Sequence, residues 1–309
     1  MKHFLHLNDL TKEDVIYLVD SSYRLKKELK KGIYNLYLKN KCLGLLFTKS
    51  STRTRVSFEI GIYQLGGYSL YLSKNDLQLG RGEIISDTAK VLSRYIDLMV
   101  IRTYNQSEVE EFAKYSSIPI INGLTDDYHP TQIIADLLTI YENKNRLSDL
   151  KISYVGDGNN VAATLGIACS KLGIDFSIAT PNEYSLNSNI IDLIKDEAKK
   201  SGSNILITDN PVEAVNNADV VYTDTWISMG QEDQKAEKLK AFKGFQVNSD
   251  LMSKAKEDAI FLHCLPAYRG YEVSDEVIDG NKSVVFDEAE NRLHAHKAIM
   301  IYCVYENSI

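Results

Sequence analysis

Short, predominantly apolar runs of strand length recur at 43–47, 69–72, 97–101 and 118–121, and again at 152–155, 176–179, 204–207, 219–223, 259–262 and 283–286. Stretches with apolar positions at helical intervals lie between or after them: 55–65, 86–94, 107–115 and 130–142 in the first series, then 161–172, 188–200, 211–217, 235–241 and 249–256, with a last one at 288–305. An earlier helical pattern runs from Thr11 to Lys30, and Asp14, three residues after Thr11, offers a capping box. Strands alternating with helices predict parallel sheets covered on both faces. The polar stretch 143–149 interrupts the alternation and predicts a boundary. The expected fold is α/β, with two doubly wound domains, each a parallel sheet flanked by helices. Residues 1–143 form the first and 150–288 the second, and the C-terminal helix, 289–309, packs back on the first.

A chain of 309 residues is long enough for two such cores. Its 44% hydrophobic and 25% charged residues are those of an ordinary soluble globular protein. The formal charge of −7 argues against a general nucleic-acid binder or a membrane-surface protein. Any anion site is therefore a local pocket. The sequence shows no signal-peptide pattern and no apolar run of transmembrane length. Four scattered cysteines, Cys42, Cys169, Cys264 and Cys303, have no paired spacing, which fits a reducing compartment. A cytoplasmic protein is expected.

In parallel sheets ligands bind at the carboxyl ends of the strands. The chemically distinctive residues fall there. Ser51-Thr52-Arg53-Thr54-Arg55 follow the 43–47 run and open a helix. Unpaired N–H groups, the helix dipole, hydroxyls and two guanidinium groups at that point suit a phosphate dianion. Serine and threonine also serve as ordinary caps, but this density exceeds what capping needs. Only nine of the 35 basic residues are arginines, and two stand here, where a planar fork matters most. Arg102 follows 97–101. His129-Pro130-Thr131-Gln132 opens the helix after 118–121. An imidazole and a carboxamide together can hold a carbonyl group without adding charge. Asn159-Asn160 follow 152–155. Asp224 follows 219–223, and an aspartate there can hold a cationic amine. The residues after it, Thr225 to Glu232, contain the single tryptophan and read as a mobile loop, although an ordinary surface loop with a capping aspartate would look the same.

Other chemistries fit less well. Gly156-Asp157-Gly158 begins like a dinucleotide-binding turn, but Val161 stands where the third glycine belongs. The ribose-binding acid is also missing, since the next strand ends in Ala179-Thr180. A nicotinamide-linked oxidoreductase is thus disfavoured. His263-Cys264-Leu265-Pro266 suggests a nucleophile or metal site, yet no paired metal-ligand spacing accompanies it. His294 and His296, two apart on a helix, point to different sides. No metal and no cofactor is expected, and Cys264 can equally be a buried structural thiol.

Taken together, these motifs resemble the aspartate/ornithine carbamoyltransferase family over essentially the whole chain. Ser51 to Arg55 is similar to its carbamoyl phosphate signature and His129-Pro130-Thr131-Gln132 to its second motif. Asp224 through Gly230, His263-Cys264-Leu265-Pro266, and Phe286-Asp287-Glu288-Ala289-Glu290-Asn291-Arg292 resemble the ornithine branch. The resemblance implies a homotrimer with shared active sites and two substrates, carbamoyl phosphate and L-ornithine. It implies that Ser51, Thr52, Arg53, Thr54, Arg55, Arg102, His129, Gln132, Cys264, Leu265 and Arg292 bind carbamoyl phosphate, joined by Gln78 from a neighbouring subunit. Asn160, Asp224, Ser228 and Met229 would bind ornithine. Arg102, His129, Gln132, Asp224, Cys264 and Arg292 would carry catalysis by direct amine attack, with no covalent Cys264 intermediate. The nearest alternatives are a putrescine or other amine carbamoyltransferase, and a non-catalytic protein on the same fold. The intact set of site residues argues against the latter.

Overall fold

A computed structural model of the chain describes residues 2–73 and 82–305. The chain divides into two compact units. The first comprises Met1–Leu138 and Glu290–Ile309, and the second Thr139–Ala289. The divisions fall within helices, one of them just before the polar stretch 143–149.

The first unit opens with helix α1 (Lys12–Lys30), whose Thr11 and Asp14 form the capping box. There follow β1 (Cys42–Phe47), α2 (Thr52–Gln64), β2 (Tyr68–Ser73), α3 (Ile85–Leu92), β3 (Leu98–Arg102), α4 (Gln106–Tyr115), β4 (Ile120–Leu124) and α5 (Pro130–Lys144). The sheet order is β2-β1-β3-β4, and every pairing is parallel. β1, β3 and β4 are buried along their whole length, as strands covered on both faces must be. β2, at the edge, is partly exposed.

The second unit continues with β5 (Lys151–Val155), α6 (Asn160–Leu172), β6 (Asp175–Ala179), α7 (Ser188–Ser201), β7 (Ile205–Thr208), α8 (Pro211–Val215) and β8 (Val220–Tyr222). It is completed by α9 (Lys235–Ala241), α10 (Ser249–Met252), β9 (Ile260–Leu262), α11 (Asp275–Ile278) and α12 (Val285–Tyr305), the last running on into the first unit. Its sheet is also parallel, in the order β7-β6-β5-β8-β9. α6 is stopped by Gly173, whose φ of +80° is a left-handed cap that a side chain would resist.

The fold class matches the sequence reading, with one correction. The run 283–286 is not a strand: Ser283 makes an isolated bridge to Phe261, and α12 starts at Val285. Asp287 and Glu288 lie in the first turn of α12, where carboxylates favour the positive end of a helix over a strand. The four-residue α11 had no visible period in the sequence.

In each sheet the order reverses once, between β1 and β3 in the first and between β5 and β8 in the second. Such a reversal opens a crevice beyond the carboxyl ends of the strands.

Candidate active site

In the first unit the ends of β1 and β3 are tied together. The Thr48 N–H donates to the Arg102 carbonyl (2.9 Å), and Arg102 Nε donates to the Lys49 carbonyl (3.2 Å). These bonds fix a buried guanidinium at the crevice. Ser51 caps α2, its hydroxyl accepting from the Thr54 N–H at 3.3 Å. Thr54, one turn in, is fully buried and accepts from Arg292 Nη2 at 2.5 Å.

That bond belongs to a seam between α2 and α12. Ser57 Oγ lies 2.9 Å from His296 Nδ1, and Phe58 stacks on the His296 ring at 3.8 Å. At Gly61 an added Cβ would sit 3.2 Å from Met300. Positions 292, 296 and 300 advance one turn at a time along α12 and meet 54, 57–58 and 61 on α2. The seam explains how an arginine near the end of the chain reaches a turn near its beginning.

His129 precedes Pro130 at the first turn of α5, and its carbonyl accepts from the Gln132 N–H. Its imidazole is buried. Burial first, then the positive charges of Arg292 and Arg102, push its pKa well below the usual histidine value. The ring is therefore neutral at physiological pH, able to donate a hydrogen bond without adding a cation. Gln132 Nε2 donates to the fully buried Asp136 at 2.8 Å, which fixes the orientation of the amide. Lys49, also buried, pairs with Asp126 at 2.8 Å.

Three members of the predicted signature stand apart from this cluster. Arg53 and Thr52 are exposed at the start of α2. Arg55 is half-exposed; its Nε donates to Glu59 at 2.9 Å and its guanidinium lies 3.7 Å from the centre of the Tyr71 ring. Gln78 lies outside the described residues.

The second unit has its own cluster at its own crevice. Asn159 caps α6: its Oδ1 accepts from the N–H groups of Val161 (3.0 Å) and Ala162 (3.1 Å). Its Nδ2 donates to Asp224 Oδ2 at 2.8 Å, linking the end of β5 to the end of β8. Cys264 Sγ donates to Asp224 Oδ1 at 3.0 Å, bringing in the end of β9. Asp224 is thus buried with both oxygens engaged, and Asn160, next to Asn159 in sequence, is half-buried. Tyr154, fully buried, keeps its proton: burial, then the Asp224 charge, raise its pKa well above the usual phenol value.

His263 is a bracket rather than a catalyst. Its Nδ1 accepts the Leu265 N–H (2.9 Å), which leaves Nε2 to carry the proton toward Glu272 (3.2 Å). Its backbone N–H donates to Glu288 at 2.9 Å. These bonds hold Leu265 at φ +56°, a left-handed conformation that a branched side chain disfavours. Among the described residues, Asp224, His263 and Cys264 form the one group whose ligand atoms could converge on a metal. The His263 nitrogens and the Cys264 proton are committed to the bonds above, so the donor set does not suit a resident ion.

The loop after β8 holds the remaining predicted residues. Ser228 is half-buried and Met229 exposed; the Ser228 N–H donates to Gln231 Oε1 at 3.3 Å. The turn that resembled a dinucleotide site is closed by its own chain. Gly158 N–H donates to the Tyr184 carbonyl, and a Cβ on Gly158 would lie 2.6 Å from that oxygen and from Leu186 N. The glycine admits residues 184–186, not a pyrophosphate.

Asp136, Lys49 and Asn159 emerge here as supports that sequence reasoning did not single out for these roles. Lys49 sits at a strand end and Asp136 one turn after Gln132, so both had a spacing signal. Asn159 had only its capping position.

Three buried histidines give the stability a pH signature. Burial lowers the pKa of His129 and of His296 well below the ordinary value, and that of His294 to about 3. Below about pH 6.5 the unfolded chain takes up protons there that the folded chain refuses. Stability is therefore intact above that pH and lost as pH falls, by about 1.4 kcal/mol per pH unit for each histidine well below it. Urea unfolding at pH 7.5 and pH 5.5 is expected to show the drop. Equal stability at the two values would contradict the buried neutral state of these rings.

Two parallel sheets, with buried arginines and a neutral imidazole at the crevice of the first and a carboxylate–thiol contact at the crevice of the second, are an arrangement that suits a group-transfer enzyme. The comparisons with known proteins agree. Family profiles described as the carbamoyl-P binding domain and the Asp/Orn binding domain of aspartate/ornithine carbamoyltransferase match residues 2–142 and 148–303. An ornithine carbamoyltransferase of Caldicellulosiruptor saccharolyticus is 72% identical over 302 residues, covering 98% of each chain. The solved ornithine carbamoyltransferase of Pyrococcus furiosus is 48% identical with a TM-score of 0.95, covering 100% of this chain and 98% of that one. The anabolic ornithine carbamoyltransferase of Campylobacter jejuni is 43% identical with a TM-score of 0.94, covering 99% and 100%. The chain belongs to the aspartate/ornithine carbamoyltransferase family.

Proposed function

We propose a division of labour between the two clusters. The chain transfers the carbamoyl group of carbamoyl phosphate to the side-chain amine of L-ornithine, giving L-citrulline and phosphate, in arginine metabolism. The observation that carries the residue assignment is that each unit holds its own chemistry at the crevice of its own sheet, a neutral, cation-flanked His129 in the first and the engaged carboxylate Asp224 in the second.

Carbamoyl phosphate binds to the first cluster. Ser51, Thr52, Arg53, Thr54 and Arg55 at the start of α2, with Arg102 and Arg292, neutralise the phosphate. Gln78 joins them from a neighbouring subunit. Arg55 enters this set only by exchanging Glu59 for the ligand. His129 donates to the carbamoyl oxygen, and Gln132, oriented by Asp136, holds the carbamoyl amide. Ornithine binds to the second cluster, through Asn160, Asp224, Ser228 and Met229. Cys264 and Leu265 line the reacting amine and the carbamoyl group.

The unprotonated amine nitrogen attacks the carbonyl carbon. A C–N bond forms, and the oxyanion of the tetrahedral intermediate is held by Thr54, Arg102 and His129. The carbon–oxygen bond to phosphate then breaks, phosphate leaves with the electron pair, and the proton shed by the nitrogen ends on the departing phosphate. Asp224 and Cys264, in contact with each other, hold the amino groups of ornithine and favour that loss. No acyl-cysteine is required, because the amine reaches the carbonyl directly.

The trimer is part of the same proposal. Val56, Ile60 and Tyr63 are exposed along one side of α2, and Tyr68 and Leu70 are exposed on the edge strand β2. An apolar helix face beside an open sheet edge is a surface that a stable protein covers. Free cysteines among the described residues support a reducing, cytoplasmic setting, and no described helix is long and apolar enough to cross a membrane. The anabolic relative supports the biosynthetic direction.

The test is to incubate the purified protein, sized by sedimentation, with carbamoyl phosphate and ornithine, putrescine, acetylornithine or aspartate in turn, and to measure ureido product and phosphate. A species of three chains that prefers ornithine is expected. Preference for putrescine would overturn the acceptor assignment, and a monomeric active species would overturn the shared site.

A further inference from the structure

The second unit contains a buried lysine that the reaction does not use. Lys238, on α9, is 2% exposed. Its Nζ donates to Asp157 Oδ2 at 2.6 Å, to the Trp226 carbonyl at 2.9 Å and to Gln231 Oε1 at 2.8 Å. An ammonium is removed from water at this cost only where every donor finds a partner, and here each of its three donors does. Two of those acceptors belong to the loop that carries Ser228 and Met229. The third, Asp157, belongs to the β5–α6 turn, two residues from the Asn159 that orients Asp224.

The rest of the packing repeats the link. Phe242, four residues after Lys238, stacks on the Trp226 ring at 5.1 Å. A Cβ on Gly156 would lie 3.6 Å from that ring, so the turn's glycine also rests against the tryptophan. Gln231 Oε1 accepts from Lys238 and from the Ser228 N–H, so the lysine reaches Ser228 through one amide. Asp224 at one end of the loop and Gln231 at the other are therefore both fixed by the turn 156–160.

We propose that Lys238 and Asp157 are positioning residues for the amino acid acceptor: together they clamp the 226–231 loop to the β5–α6 turn, and so set Ser228 and Met229 relative to Asp224. The proposal rests on the reading that those three residues receive ornithine. It predicts a selective effect. Weakening the clamp leaves carbamoyl phosphate recognition intact, because none of its members lies in the first unit.

Two variants of the full-length protein test it. Gln231→Ala removes one arm and leaves the buried ion pair whole, so folding is preserved. The double variant Lys238→Met with Asp157→Asn removes both buried charges together, which avoids an orphaned one. The KM for ornithine is expected to rise about threefold in the first and about tenfold in the second, the loss of one and of several hydrogen bonds. The KM for carbamoyl phosphate stays within about twofold of wild type. Trp226 is the only tryptophan, so its emission reads the loop directly, whatever the acceptor proves to be. A red shift in the double variant without ligands is expected as the buried indole becomes exposed. Folded variants with wild-type ornithine KM would overturn the positioning role. Unchanged Trp226 emission would overturn the clamp itself. A wild-type protein that turns over another amine, with the emission shift still present in the double variant, would locate the failure in the acceptor assignment instead.

Discussion

Replacing Arg102 by leucine is expected to lower kcat/KM for carbamoyl phosphate on the order of a thousandfold, the upper range for losing a buried donor aimed at developing negative charge. The size follows from its setting. Arg102 is buried at the end of β3, and its Nε already satisfies the Lys49 carbonyl. A charge–charge contact made by a guanidinium buried to this degree is worth far more than one at a surface. Arg102→Lys keeps the charge but not the planar fork or the Nε bond, so it is expected to recover only part of the loss. Steady-state kinetics with carbamoyl phosphate as the varied substrate decides. Kinetics within a few-fold of wild type in the leucine variant would remove Arg102 from the anion site.

The second large effect concerns the acceptor. Asp224→Asn is expected to lower kcat/KM for ornithine on the order of a hundredfold. Two causes act together. The variant loses the negative charge that receives an ammonium group. It also replaces an acceptor by a group that is half donor, while Asn159 and Cys264 both donate to this position. One of those contacts is left unmatched in a buried place. The exchanged pair, Asn159→Asp with Asp224→Asn, restores complementarity between the two side chains but moves the charge from β8 to the β5–α6 turn. Recovered stability without recovered turnover would assign the effect to the position of the charge. Recovered turnover would show that the hydrogen bond alone mattered.

The parallel sheets and the placement of most site residues were legible in the sequence, because both depend on local pattern. Strands buried on both faces are predominantly apolar, so β1, β3 and β4 announced themselves, and the residues that followed them had to stand at the ligand-binding edge. Ser51 to Arg55, Arg102, His129, Gln132, Asp224 and Cys264 became candidates in this way. The run at 283–286 misled because three apolar residues in sequence look alike whether a strand or a helix start holds them. The acidic pair behind them decided for the helix.

What the sequence hid were the partners made by packing. That Thr54 meets Arg292 depends on α2 lying along α12, a long-range seam with no local signature. Asp157 sits inside a glycine turn that resembles a cofactor motif, and the contact with residues 184–186 that closes it lies beyond any motif. Lys238 looks like any surface lysine on a polar helix until the fold buries it against Asp157. Arg55 shows the opposite case: the sequence grouped it with the anion site, and the folded chain gives it Glu59 and Tyr71.

The central claim is that each substrate answers to its own cluster, and one crossed measurement tests it most directly. It is the KM of Arg102→Leu and of Asp224→Asn for each substrate, the other being saturating. The account predicts that Arg102→Leu raises the KM for carbamoyl phosphate while that for ornithine stays within about threefold, and that Asp224→Asn does the reverse. A pattern in which Asp224→Asn impairs carbamoyl phosphate as much as ornithine, or Arg102→Leu impairs ornithine alone, would contradict it.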